Sequence, residues 1–96
     1  MRFSIPSDHP CLAGHFPGRP IVPGVVVLNE ALALILRDHP ANRVAGLDNV
    51  KLLAPVLPGD EVTVTCGESA PGRLVFTCVV AGRTVLRGRL RLGVTG

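Results

Sequence analysis

The residues best suited to chemistry lie in one stretch. Gly14-His15-Phe16-Pro17-Gly18-Arg19-Pro20-Ile21-Val22-Pro23-Gly24 runs straight into the apolar segment Val25 to Leu36. An imidazole with an unperturbed pKa of about 6.5 accepts and returns protons near neutrality, which suits His15 to general-base work. Proline fixes φ and glycine admits angles other residues avoid, so a loop this rich in both holds its backbone in few conformations. Gly24 stands at the expected start of a helix, where amides lack intrahelical acceptors and the dipole favours negative charge. Such an amide can polarise a carbonyl oxygen, and the missing side chain lets a substrate come close. The plainer alternatives are a His15 ring satisfying a nearby carbonyl and a Pro23-Gly24 pair that merely begins the helix.

Two polar residues interrupt the apolar run, Asn29 and Glu30. An unpaired buried carboxylate is costly, so Glu30 is expected to pair with an arginine, face a subunit interface or reach a pocket. Consecutive helical residues point about 100° apart, so Asn29 and Glu30 cannot occupy one place. His9, His15 and His39 lack metal-ligand spacing, and Cys11, Cys66 and Cys78 form an odd set without a C-x-x-C pair. Neither a metal site nor a disulfide framework is expected. The alternating runs around Cys66 and Cys78 suggest buried thiols.

These residues must be positioned by a single domain spanning 1–96. A chain of this size gains buried surface by pairing, so a dimer is expected. The 47% hydrophobic content excludes disorder, and the longest apolar run falls short of the roughly 20 residues of a membrane span. With no charged n-region ahead of an h-region, a cytoplasmic location is expected. The formal charge of +3 favours an acidic partner, whereas three phenylalanines as the only aromatics offer no stacking platform for nucleic acid.

Arg2 to Ile5 reads as a short strand, followed by a long loop through Pro23. Loops of that length inside a small domain usually serve function. From Gly24 or Val25 to about Asp38 the run is helical by length, and its apolar residues surround the axis, so the helix should be buried. Pro40 ends it. Strands are expected over Arg43 to Leu53, Glu61 to Gly67, Arg73 to Val80 and Thr84 to Leu92, with a turn-rich break over Ala54 to Asp60 and hairpin turns at Ala70-Pro71-Gly72 and Ala81-Gly82. In the last strand Leu86, Gly88, Leu90 and Leu92 should face the helix, and Val85, Arg87, Arg89 and Arg91 should face away. The order is α+β, one long buried central helix wrapped by an antiparallel sheet of about five strands.

The loop resembles the H-F-P-G-x-P-x-x-P-G motif of the 3-hydroxyacyl-[acyl-carrier-protein] dehydratases, which have the hotdog fold. The segment Pro55-Val56-Leu57-Pro58-Gly59-Asp60 resembles a second motif of that family, P-V-x-P-G-D. The resemblance implies dehydration of a 3-hydroxyacyl thioester to a 2-enoyl thioester in fatty-acid or polyene-type lipid biosynthesis, without a cofactor. His15 matches the catalytic histidine, and Phe16, Pro23 and Gly24 match the substrate-binding turn, with the Gly24 amide on the thioester carbonyl. The family's acidic helix residue, five positions beyond the glycine, falls on Asn29. An amide has no titratable proton for a departing hydroxyl, and losing a general acid costs about 10²- to 10⁴-fold in rate.

Three readings follow. In the first, His15 carries most of the proton transfer while Asn29, Glu30 or a water assists. The second is a thioesterase in which Glu30 activates water, and the third is an acyl-binding subunit that completes a partner's site. The resemblance implies an acyl-carrier-protein or coenzyme A thioester substrate and a homodimer, or a heterodimer with a related hotdog subunit. Each site would draw its histidine and its acidic position from different protomers. Arg83, Arg87, Arg89 and Arg91, or some of them, are candidates for docking an acidic carrier protein, and Leu28, Leu32, Leu34 and Phe76 for setting pocket depth.

Overall fold

The computed structural model describes residues 1–6 and 21–94. In chain order the elements are β1 (Arg2–Phe3), α1 (Gly24–Arg37), β2 (Asn42–Leu52), β3 (Val62–Ala70), β4 (Arg73–Val80) and β5 (Arg83–Val94). The strands form one antiparallel sheet in the order β1-β3-β4-β5-β2. The α+β order read from the sequence is the order found, with β2 at a sheet edge.

Turn chemistry sets the hairpins. Ala81 and Gly82 both have positive φ, 50° and 79°, the pair that a two-residue type I′ connection demands. Gly59 at φ 87° follows Pro58 in a turn closed by the Asp60 amide donating to the Leu57 carbonyl at 3.0 Å. The Asp60 carboxylate accepts from the Leu57 amide at 2.9 Å. Pro58 and Gly59 thus occupy the second and third positions that a type II turn favours for them.

The core is formed where α1 crosses the inner sheet face. Val27, Ala31 and Ile35, spaced at four, are fully buried with Val62, Val64, Phe76, Cys78, Leu86 and Leu90. Burying each large side chain of this set contributes about 1.5–3 kcal/mol before ordering entropy is counted. The helix is not enclosed on all sides as its composition suggests: Val25, Asn29, Ala33 and Arg37 make an exposed lane, with Val25 62% exposed.

Two inward-facing expectations also change. Cys78 is buried, but Cys66 is exposed. Cys66 shares a face with Val62 and Val64, yet burial along β3 stops at Val64. A 14-residue helix is about 21 Å long and a nine-residue strand about 30 Å, so one end of β3 outruns its cover. Val85 is buried rather than outward. The register shifts between Cys78 and Val79 opposite Leu86 and Thr84, and this irregularity breaks the strict alternation assumed along β5.

Candidate active site

The two sequence motifs meet through the backbone. Val22 donates its amide to the Val56 carbonyl at 2.8 Å, forming an isolated antiparallel bridge, and both side chains are buried. The end of the proline-glycine loop is thereby tied to the Pro55-to-Asp60 segment, which is itself held by the Gly59 amide on the Ile5 carbonyl at 2.9 Å. This anchorage fixes where α1 starts.

Pro23 is the N-cap, in an extended conformation with φ −56° and ψ 140°, and it supplies no side-chain cap. Its carbonyl accepts from the Val26 amide at 2.9 Å and the Val27 amide at 3.3 Å. The Gly24 and Val25 amides are therefore the first-turn donors, at the positive end of a 14-residue helix with no acidic residue in its first turn. That end is ready to receive a partial negative charge.

Gly24 packs beside Leu52 of β2. A Cβ at position 24 would come within 3.1 Å of the Leu52 Cδ2, so a larger residue would press on that side chain. Leu52 is half exposed, at 50%, and walls the helix start from the edge-strand side. Sequence reasoning did not assign it this role. Its signal was position, since it stands just before the Pro55-to-Asp60 motif.

Asn29 lies on the exposed lane with Val25, whereas Glu30 is half-buried on a different face. Asn29, one turn and a fraction beyond Gly24, thus occupies open surface accessible to a second molecule. Glu30 has no ion-pair partner among the described residues. The expected contact of His15 and Phe16 with this site lies outside the described residues, as do His9 and Cys11. Among the described residues, no group of three His, Cys, Asp or Glu side chains is placed to hold a metal.

The two described cysteines are not activated nucleophiles. Burial pushes the Cys78 thiol up to about 11. Cys66 is also raised, first by local burial and then by the nearby Asp38 carboxylate, so both favour the neutral thiol.

Comparison with known proteins agrees with this geometry. A 3-hydroxyacyl-[acyl-carrier-protein] dehydratase FabZ of Haemophilus influenzae is 42% identical over 88 aligned positions, covering 79% of this chain and 59% of the relative. The chain thus spans somewhat more than half the length of that relative. Among solved structures, the dehydratase heterocomplex ApeI:P of Xenorhabdus doucetiae superposes with a TM-score of 0.81 at 20% identity, covering 95% of this chain and 82% of that one. An acyl-ACP thioesterase of Bacteroides thetaiotaomicron superposes at 0.74 with 15% identity, covering 97% of this chain and 36% of that one. These two likenesses establish the shared hotdog fold. The family model described as ApeI-like, ApeI dehydratase, matches residues 1–89, and the chain belongs to that family.

Proposed function

We propose that this protein dehydrates a 3-hydroxyacyl thioester to a 2-enoyl thioester and water. The observation that carries the reading is the uncapped start of α1 at Gly24, anchored by the Val22–Val56 bridge nine residues after His15. In this reading the thioester carbonyl accepts from the Gly24 amide, and the first turn stabilises the charge that grows on that oxygen. His15 removes the proton beside the carbonyl, and the electron pair forms the new double bond as the 3-hydroxyl departs. The hydroxyl needs a proton to leave as water. His15 returns its own, or a group at the Asn29 position assists.

Dimerisation belongs to the same reading. β2 is an 11-residue edge strand, and Leu47, Val50 and Leu52 on it are exposed, as is Leu53 just beyond it. A long apolar edge invites pairing with a second chain. Val25 and Asn29 are exposed on α1, whose first residue Gly24 abuts Leu52 of this strand. A partner pairing at β2 would then bring its own loop toward Asn29, so that each site draws on both protomers.

Asn29 favours one variant of this assembly. It brings no titratable proton, so a partner with a carboxylate at the matching place would complete a site that two identical chains leave without an acid. The related structure ApeI:P is itself a dehydratase heterocomplex. Hydrolysis would need Glu30 to activate water, and that side chain is half-buried on a different face of α1 from Asn29. A cytoplasmic location is part of the proposal, and no described helix is long and apolar enough to cross a membrane.

The test is product analysis of a 3-hydroxyacyl carrier-protein thioester, with the protein alone and with candidate hotdog partners. An enoyl thioester that disappears in a folded His15→Ala variant supports dehydration. Release of a free acid instead would establish hydrolysis, and an unchanged rate in His15→Ala would overturn the assignment of the base.

A further inference from the structure

The outer sheet face carries a concentration of positive charge that the proposed chemistry does not use. Cross-strand partners share a face, and the register brings Lys51 opposite Arg87, Asp48 opposite Arg89, and Arg91 opposite Arg73. Five cations therefore surround one carboxylate, more positive charge than the chain's net +3. Two of the pairings, Lys51 with Arg87 and Arg73 with Arg91, set like charges directly opposite, an arrangement that costs stability.

These cations are not equivalent. Arg91 lies across Gly46, where any Cβ would collide with its guanidinium, and its Nε is 3.6 Å from the Asp48 Oδ2. Arg91 is thus already neutralised in part. Arg83, which the sequence grouped with this row, sits opposite Val80 at the far hairpin and borders a separate depression with Asp60. Lys51, Arg87 and Arg89 have no carboxylate within ion-pair distance among the described residues. They border a groove of about 420 Å³ together with Thr77 and Asn49. The register shift between Asp48 and Lys51, with Asn49 at φ 52°, interrupts β2 beside that groove.

We propose that Lys51, Arg87 and Arg89 form the docking surface for an acidic protein, the carrier that delivers the thioester; this deepens the dehydratase reading and rests on it. Charge complementarity selects the occupant. Among the described residues the surface has no aromatic side chain, so nucleic acid has nothing to stack on. Val75 is its exposed large apolar residue among those described, too little to insert into a bilayer. Threonine and asparagine donors between the cations suit carboxylates. Lys51 and Leu52 are successive residues of β2, and Leu52 touches Gly24, so a single strand separates the basic groove from the helix start. Carriers docked here would be concentrated and oriented close to the site.

The test compares Arg87→Glu and Arg89→Glu, each alone, with Arg83→Glu, which makes the same charge change elsewhere. Binding of a bacterial acyl carrier protein bearing phosphopantetheine without an acyl group is measured across a salt series, and turnover of a small free thioester analogue is measured in parallel. The expected result is roughly fivefold or greater weakening in the two groove variants, little in Arg83→Glu, and unchanged turnover of the analogue in all three. Arg89→Gln, with a smaller expected loss, provides the comparison should a reversal impair folding. Equal losses in all three reversals, no loss in the groove variants, or no carrier binding by the wild type would each overturn the surface. Binding of phosphatidylserine vesicles that is lost in Arg89→Glu, with carrier binding intact, would overturn it in favour of a membrane. Analogue turnover without carrier binding removes this proposal alone. Carrier binding without any turnover, by the protein alone or with a hotdog partner, removes the dehydratase reading and leaves the surface standing.

Discussion

Asn29→Asp is the perturbation that separates fold from chemistry most sharply at this site. Asn29 is on the exposed lane of α1, so a carboxylate there pays no burial cost in the protomer and should change stability by no more than about 0.5 kcal/mol. The helix interior is undisturbed, because the buried contacts belong to Val27, Ala31 and Ile35. If the position is that of a missing general acid, restoring a carboxyl group should raise the dehydration rate by about 10²- to 10⁴-fold. That gain corresponds to about 3–5 kcal/mol of barrier. The assay follows enoyl thioester formation from a 3-hydroxyacyl thioester by the homogeneous protein, with urea unfolding and oligomeric state measured on the same preparations. Glu30→Gln is run beside it, since loss of wild-type activity there would identify the half-buried neighbour as the proton donor. A folded Asn29→Asp variant of unchanged oligomeric state that is no faster than the wild type would refute the reasoning that position 29 is where the acid acts.

Three other outcomes test the structure away from that residue. Gly88→Ala would place a Cβ 2.9 Å from the Val50 Cγ2 and 3.0 Å from the fully buried Phe76 Cζ, so a loss of about 1–3 kcal/mol is expected in urea unfolding. Val50→Ala in the same chain should recover part of that loss, a non-additivity read from a double-mutant cycle. Ala81→Asn should stabilise the protein by about 0.5–1 kcal/mol in thermal unfolding, because asparagine tolerates the left-handed conformation that Ala81 adopts in the type I′ turn. The Cys78 thiol, pushed up to about 11 by burial, stays protonated in the folded chain after the unfolded thiol has ionised, so stability should fall as pH rises from the ordinary value near 9 toward 11. Denaturation across that range, compared with Cys78→Ala, should show a shallower alkaline loss in the variant.

Local chemistry made much of this protein legible before any coordinates. Proline and glycine positions forecast the turn-rich break over Ala54 to Asp60 and the hairpin turns at Ala70-Pro71-Gly72 and Ala81-Gly82, because those residues select backbone angles without help from distant contacts. Apolar length identified α1, and period-two alternation identified the strands. The two loop motifs pointed to the dehydratase family to which the chain belongs. What alternation could not reveal was where each element would run out of cover or slip register. Cys66 follows the inward phase of Val62 and Val64 but is exposed beyond them, and a bulge sends Val85 into the core.

Tertiary structure alone joined Val22 to Val56, set Leu52 against Gly24, and sorted the arginines of β5 into the partly neutralised Arg91, the remote Arg83, and Arg87 and Arg89, which have no carboxylate partner among the described residues. It also separated Asn29 on open surface from a half-buried Glu30, although the two are neighbours in the chain. Sequence governs preferences over a few residues, through allowed dihedrals and the period of apolar side chains. Contact between residues far apart in the chain depends on how the sheet registers and on which helix face it covers, and those are settled only when all the strands are in place.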